Sequence, residues 1–195
     1  LDGEYELPGQ LQHARVALVA EVALLVDVRD GDKRLERRVH VAPPGDEDIH
    51  TAVDTTGFAQ TSVLLETARL TDLFLYDLKA LDPVRHLEQT GVDNRVILAN
   101  LELLSGSGAE IILRIPLVPG LNDDDASIDC IGAYITGLPR KHPVDLLPFH
   151  RAAKGKYQKL GRSYRGETTD PPEPGRVAEI VKRLSGFGLN VNVGG

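Results

Sequence analysis

From His50 to the carboxyl terminus the sequence predicts an α/β domain, in which helices cover a parallel sheet. Short apolar segments of strand length alternate there with segments of helical periodicity, at the spacing of β/α units. The strand segments lack the strict alternation of a half-exposed sheet, which is typical of strands buried on both faces. A chain of 195 residues is long enough for one domain with a substantial core.

The predicted strands are short apolar runs, each near the usual strand length of about five residues. They are His50–Asp54, Leu73–Asp77, Ile111–Pro116, Val144–Pro148 and Leu189–Val193.

The first two predicted helices are recognised by their ends. Thr61 or Ser62 is expected to cap a helix that runs to residue 69. Asp82 followed by Pro83 is a capping residue with proline at the first helical position, and Gly91 is expected to end that helix.

Three further helices are predicted from apolar residues at helical spacing. One opens at Asp93 and ends before Gly106. The next follows the acidic run at residues 123–125, whose carboxylates suit a helix amino terminus. The last runs from about Pro174 to residue 186 or 188. Their inward stripes are expected to be Val96, Ile97, Asn100, Leu101 and Leu104, then Ile128, Ile131, Tyr134 and Ile135, then Val177, Ile180, Val181 and Leu184.

Residues 1–49 do not show this alternation of strand-like and helix-like segments. Val16–Arg29 and Leu35–Val41 are predicted to form a β-hairpin, with a helix over Leu11–Leu25 as the competing interpretation. Only eight residues separate Val41 from His50, too few for the helical crossover of a parallel sheet. We therefore predict an atypical amino-terminal segment over residues 1–49 and a β/α domain over residues 50–195.

Composition excludes several classes of partner. The net charge of −7 and the pI near 5.4 argue against nucleic acid, because phosphate backbones demand basic patches. No run of 18 apolar residues is present, so no membrane span is expected. No secretory signal is recognisable at the amino terminus. Cys130 is the single cysteine, so an internal disulfide is impossible, which fits a cytoplasmic protein.

Polar residues gather toward the carboxyl-terminal edges of four successive predicted strands. Each has a structural explanation when taken alone, such as a capped turn or an ion pair. Together they favour a binding site, because the carboxyl ends of strands in a β/α barrel face one mouth. They are Asp54 with Thr55, Asp77 with Lys79, Arg114 with the later Pro119-Gly120, and His150.

Longer motifs within residues 50–193 resemble the activating enzymes of glycyl radical enzymes, of the pyruvate formate-lyase activating enzyme type. They occur in the order and at the spacing of that family. The motifs are His50–Phe58 (HTAVDTTGF), Asp77–Lys79 (DLK), Thr90–Asn94 (TGVDN), Arg114–Asp124 (RIPLVPGLNDD) and Leu146–His150 (LLPFH), followed by Lys154–Gly161 (KGKYQKLG).

The resemblance implies a partial (β/α)6 barrel of the radical SAM type. In that superfamily three cysteines of a C-x3-C-x2-C loop hold a [4Fe–4S] cluster, which binds S-adenosylmethionine and cleaves it reductively. The 5′-deoxyadenosyl radical then abstracts hydrogen from a glycine of the partner. The implied partner is a glycyl radical enzyme similar to formate acetyltransferase.

The resemblance also implies roles for individual residues. Asp54, Thr55 and Asp77 look like ligands of a monovalent cation beside the methionyl carboxylate, a role that suits hard oxygen donors. Lys79 and His150 look like contacts of S-adenosylmethionine, since both groups make charge-assisted hydrogen bonds. Arg114 resembles a residue close to this cofactor and to the bound glycyl-loop peptide.

The sequence departs from the family where the chemistry begins. No cysteine loop is present, and Cys130 falls on a predicted helix, where a small core residue is expected. One thiolate does not hold a cluster that needs three. The Gly-Gly-Glu-Pro motif is absent too. We therefore expect the first β/α units to be missing or replaced, as in a truncated or frameshifted chain, with no iron–sulfur ligand and no assigned catalytic residue.

Three functions remain open from the sequence. The leading one is a radical SAM activase that is inactive as this chain alone. The second is a non-catalytic remnant that binds a peptide or partner. The third is a lyase in which Lys79 forms a Schiff base with a carbonyl substrate. The first accounts for the most motifs.

Overall fold

The computed structural model describes residues 15–21, 49–150 and 169–194. The chain forms two compact units. The first comprises residues 1–77 with Arg95–Ile112, and the second comprises Leu78–Asn94 with residues 113–195. In chain order the elements are β1 (Arg15–Glu21), β2 (Ile49–Thr55), α1 (Thr61–Ala68), β3 (Leu73–Asp77), α2 (Pro83–Thr90), α3 (Arg95–Gly106), β4 (Ile111–Leu117), α4 (Asp125–Thr136), β5 (Val144–Pro148), α5 (Pro174–Gly186) and β6 (Val191–Val193).

In the first unit three parallel strands lie side by side. β2 is the middle strand: Ala17 of β1 is level with Thr51, and Thr55 is level with Tyr76 of β3. Phe74 and Tyr76 are fully buried, while alternate residues of β3 are half-buried on the other face. The burial of one face follows from the period of two along a strand.

The amino-terminal strand decides between two interpretations and corrects one expectation. Residues 15–21 form a strand and not the alternative helix over Leu11–Leu25. β1 pairs in parallel with β2, so the parallel arrangement begins before His50. The connection to β2 spans residues 22–48, which is long enough for a crossover. The second strand of the predicted hairpin, Leu35–Val41, lies outside the described residues, and the boundary at residue 49/50 stays a prediction.

Helix α3 packs its apolar stripe into the first unit. Ile97, Leu101 and Leu104 are buried, as predicted, and so is Asn100. Val96 is 46% exposed, so its predicted place on the stripe is wrong. Val96 precedes Ile97 by one residue, and the 100° step between neighbours carries it to the edge of the buried face.

Helix α1 begins without the predicted cap. Its capping position is Gln60, and no side chain caps it. The hydroxyl of Thr61 donates instead to Asn100 Oδ1 over 2.8 Å. The Thr61 hydroxyl, which the sequence assigns to the cap of α1, is therefore used in a contact with α3 instead.

In the second unit β4, β5 and β6 form a parallel sheet with β5 in the middle. Leu113, Ile115 and Leu117 of β4 are fully buried on one face. The strand predicted over Leu189–Val193 is shorter, Val191–Val193.

Helix α2 has the predicted ends. The Asp82 carboxylate accepts hydrogen bonds from the backbone amides of Val84 and Arg85, both over 2.9 Å. Pro83 is the first helical residue. Gly91 ends the helix at a φ of 81°, a left-handed conformation that glycine adopts without strain.

Helices α4 and α5 are joined by ion pairs. Arg183 donates to both carboxylate oxygens of Asp129, over 2.5 and 2.6 Å, and also to Asp125 over 2.9 Å. Arg176 donates to Asp125 over 2.7 Å. The acidic run thus serves two purposes, since its Asp124 caps α4, as the interpretation of this run as a helix start requires.

The inward stripes of α4 and α5 are largely as predicted. Both helices bury isoleucine or leucine at helical spacing, whereas Tyr134, Val177 and Val181 are half-buried. Cys130 is exposed, so its predicted core position is wrong. It lies two residues, or about 200°, from the buried Ile128. Among the described residues, no helix is long and apolar enough to cross a membrane.

Candidate functional site

In the first unit the two predicted carboxylates lie on one face of the sheet. Asp54 is level with Leu75 of β3, and Asp77 follows Leu75 by two residues. Because side chains alternate along a strand, all three share a face, and both carboxylates are half-buried. The structure therefore brings Asp54 and Asp77 to the same side of neighbouring strand ends.

Thr55 lies on the opposite face. It is level with the buried Tyr76, and its own hydroxyl accepts a hydrogen bond from the Gly57 amide over 2.9 Å. The side chain is 7% exposed. The structure does not bring the Thr55 hydroxyl to the carboxylates of Asp54 and Asp77, and the cation site stays a prediction.

The loop after β2 is held by a buried asparagine of α3. Asn100 donates from Nδ2 to the carbonyls of Gly57 over 2.8 Å and Ala59 over 2.9 Å, and its Oδ1 accepts from Thr61. The residue is fully buried. Sequence analysis missed this role, although an asparagine within an apolar stripe is a signal, since a buried amide needs partners.

In the second unit the backbone next to Lys79 is hydrogen-bonded to the backbone of Arg114. The Leu78 amide donates to the Arg114 carbonyl over 2.8 Å. Arg114 is 8% exposed and Lys79 is half-buried. These two predicted residues are thus brought together in one unit.

Arg114 lies in a polar row that crosses the sheet of the second unit. Asp145 of β5 is level with Arg114, and Asn192 of β6 is level with Asp145. Asn192 donates to the Asp145 carboxylate over 3.3 Å. Register thus places Asp145 in the same row of the sheet as Arg114. Sequence analysis overlooked Asp145, because the pairing of strands is not visible in a single strand.

His150 lies two residues after the end of β5. The preceding Phe149 amide donates to the Leu117 carbonyl over 2.8 Å, which extends the pairing of β5 with β4. His150 is exposed at the end of the described segment 49–150.

The loop after β4 is built around Asn122. Its Oδ1 accepts from the Val118 amide over 2.8 Å, and its Nδ2 donates to the carbonyls of Pro116 over 2.7 Å and Lys79 over 2.9 Å. Gly120 has a φ of 76°. This loop accordingly ties the end of β4 to the segment that carries Lys79.

The motif at residues 90–94 links α2 to the same segment. The Thr90 hydroxyl donates to the carbonyl of His86 over 2.7 Å, and His86 Nδ1 lies 2.9 Å from the Val92 carbonyl. Because a carbonyl only accepts, Nδ1 carries the proton. Asn94 then donates to the carbonyls of Ala80 and Leu81.

The carboxylates with clearly shifted pKa values are not among the predicted site residues. Hydrogen bonds from Ser127, and then the Arg85 guanidinium, hold the pKa of Asp124 far below its usual range. Hydrogen bonds from Arg183 lower the pKa of Asp129. A backbone hydrogen bond from Thr51 does the same for Asp72. These shifts arise from the cap of α4, from the ion pair that joins α4 to α5, and from the start of β3, so they mark structural contacts.

The donor groups do not fit an iron–sulfur cluster. The 195 residues contain one cysteine, which is exposed on α4, whereas a cubane needs three protein thiolates here. In the part of the chain that the structure describes, no group of three or more His, Cys, Asp or Glu side chains suits a metal ion.

Three curated relatives are similar in sequence to this chain over about three quarters of its length. The trans-4-hydroxy-L-proline dehydratase activating enzyme of Clostridioides difficile is 38% identical, over 75% of this chain and 49% of its own length. The benzylsuccinate synthase activating enzyme of Thauera aromatica is 37% identical, over 75% and 46%. The pyruvate formate-lyase-activating enzyme of Streptococcus mutans is 36% identical, over 71% and 55%. The chain spans about half the length of the curated relatives it matches. No family model matches the sequence.

Solved structures confirm the predicted fold class, an α/β partial barrel of the radical SAM type. A domain of pyruvate-formate lyase-activating enzyme from Bacteroides vulgatus is 30% identical, with a TM-score of 0.63, over 75% of this chain and 82% of that one. A radical SAM methyltransferase from Sphaerobacter thermophilus shares the fold at 18% identity, with a TM-score of 0.57, over 74% and 40%. This chain therefore belongs to the glycyl radical enzyme activating enzymes of the pyruvate formate-lyase activating enzyme type, within the radical SAM superfamily.

Proposed function

We propose that this chain supplies the S-adenosylmethionine-binding and glycyl-peptide-binding part of a glycyl radical enzyme activating enzyme. The observation that carries the proposal is the placement of Lys79 and Arg114. Both lie in the second unit: Lys79 comes two residues after the carboxyl end of β3, and Arg114 lies within β4, three residues before its carboxyl end. The Leu78 amide is bonded to the Arg114 carbonyl. Ligands of β/α folds bind at that edge of the sheet.

The chemistry of the two cations suits this ligand. The Lys79 ammonium is a compact donor for the methionyl carboxylate, by charge-assisted hydrogen bonds. Arg114 is 8% exposed, and its guanidinium presents a planar set of donors that suits a carboxylate or a peptide carbonyl. His150, exposed two residues after the end of β5, is assigned a further contact with S-adenosylmethionine. In active radical SAM enzymes the bound S-adenosylmethionine supplies the 5′-deoxyadenosyl radical.

The first unit is assigned the cation. Asp54 and Asp77 share a face at neighbouring strand ends, and hard oxygen donors suit a monovalent cation. Thr55 belongs to this proposal by its position next to Asp54. Its hydroxyl is already bonded to Gly57, so its backbone carbonyl is the oxygen that we assign to the cation.

We propose further that these 195 residues ligate no [4Fe–4S] cluster, because their one cysteine is exposed and cannot replace three. Radical formation on a partner similar to formate acetyltransferase would then need ligands from outside this sequence. The same observation favours a second candidate, a non-catalytic module that binds the glycyl loop of such a partner. Both functions belong to the cytoplasm.

Calorimetric titration with S-adenosylmethionine tests the first part. The variant Lys79→Met removes the ammonium and keeps most of the side chain's bulk, and we expect affinity to fall about tenfold or more, the loss of one charge-assisted interaction. Lys141→Met is the matched control, since Lys141 is an exposed lysine of the same unit. Wild-type protein that binds no S-adenosylmethionine would sink the proposal.

Reconstitution with iron, sulfide and reductant tests the second part. We expect no visible absorbance of a cluster, and a stoichiometric cluster that cleaves S-adenosylmethionine would overturn this expectation. Binding of a glycyl-loop peptide without any binding of S-adenosylmethionine would establish the non-catalytic candidate instead. Borohydride trapping of a carbonyl compound on Lys79 would point to the Schiff-base lyase.

A further inference from the structure

Two buried asparagines bind the backbone that carries Lys79. Asn122 donates from Nδ2 to the Lys79 carbonyl over 2.9 Å. Asn94 donates from its own Nδ2 to the carbonyls of Ala80 over 3.0 Å and Leu81 over 2.8 Å. The two asparagines are 4% and 2% exposed. Three successive carbonyls after β3 are therefore held by side-chain amides from elsewhere in the second unit.

The orientation of both amide groups follows from their partners. A carbonyl oxygen only accepts hydrogen bonds, so Nδ2 must face each of them. Asn122 uses both hydrogens of Nδ2, since the second goes to the Pro116 carbonyl over 2.7 Å. Its Oδ1 accepts from Val118. Because its two donor hydrogens and its acceptor oxygen are all engaged, the Asn122 side chain is held in one orientation. The Lys79 carbonyl is held in place with it.

The segment between β3 and α2 is anchored along its length. Its first residue, Leu78, donates its amide to the Arg114 carbonyl over 2.8 Å, and its last, Asp82, caps α2. A lysine side chain is long and flexible, so the place of its ammonium depends on how firmly its own backbone is held. Because the segment is anchored, the Lys79 backbone, from which the side chain extends, is held in one position.

We propose that Asn122 and Asn94 are positioning residues for Lys79. They hold the backbone of residues 79–81 so that the ammonium meets the methionyl carboxylate of S-adenosylmethionine without a further loss of backbone freedom on binding. This inference rests on the proposed function, which names the ligand. Neither asparagine contacts the ligand in this scheme.

The variant Asn122→Asp tests the inference with little change in shape. It keeps an oxygen for the Val118 amide and replaces the two donors with an acceptor, which faces the Lys79 and Pro116 carbonyls unfavourably. We expect the affinity for S-adenosylmethionine to fall about tenfold. The affinity for methylthioadenosine, which lacks the methionyl carboxylate, should change less than about twofold on the same grounds.

Asn94→Asp should reproduce this selective loss. Asn190→Asp is the matched control, because Asn190 is an exposed asparagine of the same unit. In a Lys79→Met background, Asn122→Asp should cause no additional loss, since the group that it positions is gone. A merely structural role would weaken both ligands equally and would add to the effect of Lys79→Met.

The outcomes separate the two proposals. No binding of S-adenosylmethionine by the wild-type protein overturns the proposed function and this inference with it. Binding by the wild type that Asn122→Asp leaves unchanged, or an equal loss of both ligands, overturns the positioning role alone. If Asn122→Asp does not fold, Asn122→Ser removes the donors without adding a charge, and the same comparison of ligands decides.

Discussion

Gly57 lies where the loop after β2 crosses the ring of Tyr76, and a methyl group there should be costly. A Cβ at residue 57 would come within 1.6 Å of Tyr76 Oη and 2.2 Å of Cζ. Tyr76 is fully buried, and its hydroxyl donates to the Ile97 carbonyl over 2.7 Å. The φ of Gly57 is 73°, in the left-handed region. Gly57→Ala therefore combines backbone strain with a collision in the core.

The expected loss of stability follows from these contacts. The left-handed backbone costs alanine about 1–2 kcal/mol. Moving a buried ring in a close-packed core costs about 1–3 kcal/mol. Losing the hydrogen bond from Tyr76 to Ile97 adds about 1 kcal/mol. We expect the free energy of unfolding to fall by roughly 4 kcal/mol in Gly57→Ala.

Gly91→Ala separates the two contributions. Gly91 has a similar φ of 81°, but a Cβ there would meet nothing within 4 Å. Its expected loss is thus the backbone cost alone, about 1–2 kcal/mol. Urea denaturation followed by circular dichroism measures both variants. Tyr76→Phe should relieve part of the loss in Gly57→Ala, because the nearest atom is removed while Cζ remains.

Equal losses in Gly57→Ala and Gly91→Ala would refute this reasoning, since they would show that the loop moves away from the ring at no cost. A Gly57→Ala loss that Tyr76→Phe leaves unchanged would refute it as well, because the collision would then involve some other atom.

Two further predictions concern charge and a buried amide. The pKa of Asp124 is lowered by Ser127 and Arg85, so its contribution to stability is complete above the unfolded value of about 3.9 and is lost as the pH falls toward the folded value. Urea midpoints should therefore decline below about pH 4, less steeply in Asp124→Asn, and equal slopes would contradict this. Asn100→Asp should lower the free energy of unfolding by ~3 kcal/mol at neutral pH, since a buried acceptor would face the carbonyls of the β2 loop. A loss below about 1 kcal/mol in urea denaturation would show that those carbonyls do not need Asn100.

Much of the fold was predictable because it depends on local signals. The capping of α2 by Asp82 and its end at Gly91 are properties of a few neighbouring residues. The apolar stripes of α3 and α4 follow from helical spacing, and the strands from short apolar runs. The error at Val96 lies at the edge of a stripe, where a small rotation decides burial.

The amino-terminal strand shows why pairing was not predictable. An apolar segment at residues 16–29 is compatible with a hairpin, a helix or a parallel strand. The parallel pairing of β1 with β2 is a contact between distant segments, which the residues of β1 do not specify by themselves. The exposure of Cys130 has the same origin, since a small apolar residue suits either side of a helix. Both depend on contacts between segments distant in sequence.

The candidate site divides in the same way. Sequence alone predicted which residues bind a charged cofactor, namely Asp54, Asp77, Lys79, Arg114 and His150, and it determined that one cysteine is available. Only the tertiary structure decided that the Thr55 hydroxyl is bonded to the Gly57 amide, that Asp145 lies level with Arg114, and that buried asparagines hold the loops. The reason is physical: residue type sets what a group can bind, whereas strand register and the partners of buried amides set which groups meet.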